Sequence, residues 1–129
     1  SNLIQFDALN DLSHTIQSSI KASKSLEEYT LNLWKATKNP EKYNVKISGI
    51  DMRLLIISGA SPRGISMMMK TARVNAWLNN RTSVLPEDIH AIFHETMAHR
   101  LVFNPVYELR RTEISRELSN EILNKVSAP

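Results

Sequence analysis

An all-α fold, a single-domain bundle of about five helices, is predicted by three observations on the sequence. Apolar residues recur at helical spacing through most of its 129 residues. Helix-start and helix-stop chemistry falls at the edges of those segments. Residues 40–58 depart from the pattern and read as an irregular insertion between the second and third helices.

The first helix is predicted over roughly Phe6–Ile20, with Leu9, Leu12, Ile16 and Ile20 on one face. The second starts near Ser23–Ser25: Ser25 with Glu28 fits a capping box, and Ser23 is an alternative cap. It carries Leu26, Tyr29, Leu33 and Thr37 inward and stops at Asn39-Pro40, because proline disfavours helical geometry in the residue before it. In the next stretch Val45 and Ile47 alternate with polar residues, Gly49 punctuates, and Leu54–Ile57 is a short apolar run. Either a short hairpin or an extended loop packed on the helices fits.

The third helix has the clearest start, with Ser61 as N-cap and Pro62 at the first position, where its missing N–H costs nothing. Ile65, Met69, Ala72 and Ala76 form its inward stripe, and Asn79-Asn80 ends it. The fourth begins at Pro86-Glu87-Asp88, whose carboxylates complement the helix dipole. Its face is Ile89, Ile92, Phe93, Met97 and Leu101, and Asn104-Pro105 terminates it. The fifth starts near Thr112 and repeats Ile114, Leu118, Ile122 and Val126. No internal repeat or low-complexity segment appears.

A hydrophobic fraction of 42% with 22% charged residues suits one soluble domain large enough to bury a core. No apolar run approaches the roughly 20 residues a membrane span needs, and no signal-peptide pattern opens the chain. Cysteine is absent, so thiol chemistry is excluded and a reducing cytoplasm is the expected home. Ser1-Asn2 resembles a protease scar left after tag removal, which leaves residues 3–129 as the domain and suggests a piece of something longer. The net charge of +3 is dispersed. Its densest basic group, Arg110, Arg111 and Arg116, is interleaved with Glu108, Glu113 and Glu117. Nucleic-acid binding favours a concentrated basic face, so a nucleic-acid partner is not expected.

Several chemistries are missing. No Gly-x-x-x-x-Gly-Lys-Ser/Thr phosphate loop, Gly-x-Gly-x-x-Gly or Gly-x-Ser-x-Gly elbow occurs. His94 and His99 bracket a near miss to the zinc-protease motif, but five residues place them about 140° apart around a helix. His90 and His94 have chelating spacing but lack a third ligand nearby, and no metal is expected. Met67-Met68-Met69 points in three directions on a helix, so Met68 or Met69 should fill core while Met67 lies nearer the surface.

One local conflict stands out. Arg63 occupies the first turn of a helix, where its charge opposes the macrodipole, and Gly64 follows, a poor helix former. Free N–H groups at a helix start together with a guanidinium make an anion site suited to phosphate. The alternative is an exposed arginine whose stem covers apolar surface.

The segment Gly59-Ala60-Ser61-Pro62-Arg63-Gly64 resembles the GASPRA signature in the lid of MoxR-type AAA+ ATPases. Tyr29-Thr30-Leu31-Asn32-Leu33-Trp34-Lys35-Ala36-Thr37-Lys38 is similar to that family's tyrosine-to-Ala-Thr-Arg helix. Val84–Ile89 resembles its Val-Thr-Pro-Glu-Asp-Val helix start, His99-Arg100-Leu101 its His-Arg-Leu, and Val126–Pro129 its closing residues. The resemblance covers nearly the whole chain, in order. It implies an AAA+ lid in which Arg63 is the sensor-two arginine, reaching the nucleotide's terminal phosphates, with Ser61 and Pro62 as further nucleotide-binding residues. It also implies ATP and magnesium as ligands of the whole protein, none being expected of this fragment alone. Partners would be the protein's own AAA+ core, neighbouring subunits of a hexameric ring, and von Willebrand A domain proteins or other clients remodelled in chaperone-like fashion. The Walker motifs, first sensor and arginine finger belong to the preceding αβα domain, so this chain alone is not expected to be an enzyme.

Four departures qualify the match: Lys38 stands where arginine is usual, Leu85 replaces the capping threonine, Gly64 replaces alanine, and the stretch between Lys38 and Gly59 is long. Two other classes compete, the lid of a DNA-associated AAA+ motor and a stand-alone helical interaction module. Salt-dependent duplex binding would favour the first.

Overall fold

The computed structural model describes residues 2–59 and 61–129, with side chains from residue 8 onward; Ser1 of the suspected scar and Ala60 of the signature lie outside them. The described residues form seven α-helices, one 3-10 turn and a two-stranded sheet. The helices are α1 (Asn2–Ser19), α2 (Lys24–Lys38), α3 (Met52–Leu55), α4 (Pro62–Leu78), α5 (Pro86–Ala98), α6 (Pro105–Glu108) and α7 (Arg111–Lys125). The strands are β1 (Ile56–Ser58) and β2 (Val102–Phe103). The all-α expectation holds: the five long helices are the five predicted ones, and α3 and α6 are single turns. No helix among the described residues is long and apolar enough to cross a membrane.

One core serves the molecule. Leu33, Leu55, Met68, Ile89, Phe93, Met97, Ile114, Leu118 and Ile122 are all fully enclosed, drawn from α2, α3, α4, α5 and α7. Helix α2 supplies Leu26, Tyr29, Leu33 and Thr37 as its spacing predicts. Ser23 rather than Ser25 is its cap, accepting from the Leu26 N–H at 3.1 Å. The Tyr29 hydroxyl hydrogen-bonds His90 Nε2 at 2.7 Å, tying α2 to α5.

Helix α1 departs from expectation. Ile16 and Ile20 are buried, but Leu9 and Leu12 are exposed, so among the described side chains the helix packs on the bundle through its last two turns. There Gln17 Nε2 donates to the Lys70 carbonyl at 3.0 Å and Arg73 Nε to the Ile20 carbonyl at 3.2 Å, so α1 and α4 run side by side in the same direction. Beyond α1 the chain pairs with a distant segment: the Lys21 N–H donates to the Thr82 carbonyl at 2.9 Å, and the Val84 N–H to the Lys21 carbonyl at 2.8 Å.

Neither a hairpin nor a plain extended loop fills residues 40–58. A 3-10 turn, Pro40–Tyr43, is followed by buried Val45 and Ile47 and then α3. The Leu54–Ile57 run splits between helix and strand, and its strand half pairs with β2 rather than locally: Ile56 faces Phe103 and Ser58 faces Val102, antiparallel. The predicted fourth helix therefore ends early. Helix α5 stops at Ala98, and Leu101 is buried beyond it in the approach to β2. Leu85 cannot cap through its side chain, yet the α5 start is firm. The buried Asp88 carboxylate accepts from the Leu85 N–H at 2.8 Å and Asn75 Nδ2 at 2.7 Å, and pairs with Arg81.

Candidate functional site

Pro62 opens α4, and Ser61 takes the N-cap position with extended backbone. The Ser61 hydroxyl makes no capping bond, so the position matches expectation while the chemistry does not. Its carbonyl is used instead, accepting from the Gly64 N–H at 2.9 Å and from Trp34 Nε1 at 2.9 Å. The first turn of α4 is thereby pinned to α2. Gly64, an anomaly on propensity, has a steric cause: a β-carbon there would lie 2.0 Å from Trp34 Cζ2. Gly59 likewise lies against Lys38, whose Cγ would be 2.8 Å from an added β-carbon.

Arg63 projects from this pinned turn and is exposed. With Ser66, Met67, Lys70 and Arg100 it lines a shallow depression of about 380 Å³. The four α4 residues follow i, i+3, i+4, i+7 spacing and so share one helical face, while Arg100 arrives from the turn closing α5. Among the described residues no carboxylate lines the hollow. Among the described residues Arg63, Lys70 and Arg100 form no ion pair, whereas Arg53, Arg81, Arg110 and Arg111 do. Uncompensated cations beside the positive end of a helix suit a phosphate. Ser61 and Pro62 do not line this hollow; Pro62 faces a separate groove with Leu31, Trp34, Lys35, Lys38 and Ile65. Sequence reasoning singled out Arg63 and missed Lys70 and Arg100, although Lys70 is two helical turns away and Arg100 sits in a segment noted for its resemblance.

The other candidates resolve structurally. His90 bonds Tyr29, and His94 Nδ1 lies 2.9 Å from the Ser119 hydroxyl. Met68 is fully buried and Met69 nearly so, while Met67 is 49% exposed, the predicted division. No group of three His, Asp or Glu side chains among the described residues could hold a metal ion.

Residues 51–125 match the AAA lid domain family. The chain is 39% identical over 129 residues to protein MoxR of Methylorubrum extorquens, covering all of itself and 38% of that protein. It is 30% identical over 106 residues to chaperone MoxR1 of Mycobacterium tuberculosis, 81% of this chain and 26% of the relative. A crystal structure of a candidate ATPase from Cytophaga hutchinsonii superposes with a TM-score of 0.76 at 31% identity, over 89% of this chain and 33% of that one. The chain thus spans 38% or less of each of these relatives.

Proposed function

The chain belongs to the AAA lid domain family, and on that premise we propose that it is the nucleotide-sensing lid of a MoxR-like ATPase, with Arg63 as the sensor-two arginine. The observation that carries the reading is an exposed guanidinium with no carboxylate partner among the described residues, fixed at the start of α4 and facing a cationic hollow. ATP with magnesium is the ligand of the whole protein, and its phosphates are what this chain touches. Arg63 donates to the terminal phosphate oxygens, its planar fork matching two of them at once. The Trp34 contact to Ser61 transmits a shift of that turn to α2, so the bundle moves as one body when the phosphate is lost. Among the described residues the hollow offers no carboxylate for magnesium, which the preceding core would hold.

The lid docks on its own AAA+ core and on neighbouring subunits of a ring, a hexamer, working in the cytoplasm. The whole assembly remodels clients in chaperone-like fashion, von Willebrand A domain proteins among them. In the full-length ATPase, Arg63→Ala should cut turnover by about a hundredfold, the scale on which one lost charge-stabilising donor acts. Circular dichroism of the variant should be unchanged. Wild-type turnover in that variant removes the assignment.

A further inference from the structure

We propose that Lys70 and Arg100 bind phosphate together with Arg63, forming a three-cation seat for the terminal phosphates of a nucleoside triphosphate. The proposal rests on the reading of Arg63 above and adds two residues to it. All three line the same depression of about 380 Å³, with the Ser66 hydroxyl as a further donor and Met67 as its apolar wall. Like charges gathered in one hollow repel each other and destabilise the empty protein. Elsewhere Arg53, Arg81, Arg110 and Arg111 meet carboxylates, and Arg73 donates to the Ile20 carbonyl. In this hollow three cations stand together, and among the described residues none of them forms an ion pair.

The geometry narrows the ligand. Lys70 lies seven residues beyond Arg63 on one rigid helix, an axial separation of about 10 Å. Both side chains are long enough to reach into the one hollow they line, so they can engage the same short phosphate chain from its two ends. The depression is small and concave, whereas a duplex backbone needs an extended basic track. Arg100 approaches from another element, and its backbone is anchored: the Arg100 and Leu101 N–H groups both donate to the Met97 carbonyl, at 3.0 and 3.2 Å. Leu101 beside it is buried. A polyphosphate held by Arg63, Lys70 and Arg100 therefore bridges α4 to the end of α5, and losing its last phosphate loosens that bridge.

The test uses the full-length ATPase, with equilibrium affinities for ATP and AMP measured by competition against a fluorescent nucleotide. Lys70→Ala and Arg100→Ala should each weaken ATP binding about tenfold, the effect of one charged hydrogen bond, and leave AMP binding unchanged. Lys70→Arg and Arg100→Lys should restore most of the ATP affinity, which a merely structural role would not demand. Equal losses for ATP and AMP overturn the proposal, as does unchanged ATP affinity in both alanine variants. So does impaired ring assembly with ATP affinity intact, which would mean that the seat takes a neighbour's carboxylate. Arg63→Ala, measured alongside, separates the two claims. Lost turnover there with full ATP affinity in the other two variants overturns the seat alone. Normal turnover there with weakened ATP binding in the other two removes the sensor role and supports the seat.

Discussion

The indole of Trp34 lies directly over Gly64, close enough that a β-carbon at position 64 would fall 2.0 Å from Cζ2, and its N–H holds the Ser61 carbonyl at 2.9 Å. The pair holds the first turn of α4 against α2, the turn from which Arg63 projects. Gly64→Ala gains about 1 kcal/mol of helix propensity but must displace a ring that is 4% exposed. Overpacking of that kind costs about 1–3 kcal/mol, so the variant should be destabilised in urea unfolding. Trp34→Leu in the same chain should recover part of the loss by vacating the space. A Gly64→Ala protein as stable as the parent would show that the ring yields freely.

Asp88 stands in for the side-chain cap that Leu85 cannot provide. Its enclosed carboxylate accepts from Leu85, Asn75 and Arg81, joining the start of α5 to α4 and to the loop between them. Asp88→Ala strands those donors and should cost about 3–5 kcal/mol, as for other broken buried pairs. Arg81→Ala should cost less, since Arg81 is 31% exposed and backbone and amide donors still serve the carboxylate. Equal losses would mean that the ion pair alone carries the junction.

The three methionines give a cleaner comparison, because they differ in burial and not in kind. Met68 is fully buried and Met67 is 49% exposed. Met68→Ala should cost about 2–5 kcal/mol through the cavity it leaves, whereas Met67→Ala should stay within about 0.5 kcal/mol. Comparable unfolding midpoints for the two variants would contradict the packing described for α4.

What was legible in the sequence was what repeats locally. Helices α2, α4 and α7 announce themselves through apolar spacing, and the first two also through Pro40, Pro62 and the asparagines that stop them. The β1–β2 pairing was not legible, because strands of three and two residues carry too little alternation and their partners are far apart in sequence. Leu9 and Leu12 misled for the opposite reason: they share a face with Ile16, but spacing says nothing of where a partner element ends. The same division holds at the site. Arg63 was visible because it breaks a local rule, whereas Lys70, two turns on along the same face, breaks none, and Arg100 meets them only once α5 has folded against α4. Gly64 looked like a fault until Trp34 explained it.

Glu108 offers a test in which pH sets the sign. Its carboxylate accepts from Arg111 Nε at 2.7 Å and Nη2 at 2.9 Å and from the Phe103 N–H at 3.1 Å, while the Arg111 guanidinium lies 4.7 Å from the Phe103 ring centre. These hydrogen bonds, the Arg111 side chain first, hold the Glu108 carboxyl below its usual value of 4.5. A carboxyl depressed on folding contributes stability that is fully present above the unfolded value and disappears as pH falls through the folded one. Glu108→Gln should therefore be less stable than the parent at neutral pH, and the gap should close as the medium is acidified below 4.5. Paired urea titrations between about pH 7 and about pH 2 isolate this residue, because the other titrating groups are common to both proteins and cancel in the difference. Added salt should narrow the neutral-pH gap, since the pair is solvent-accessible. A difference that stays constant through the acid range would mean that Glu108 holds β2 and α7 by shape alone.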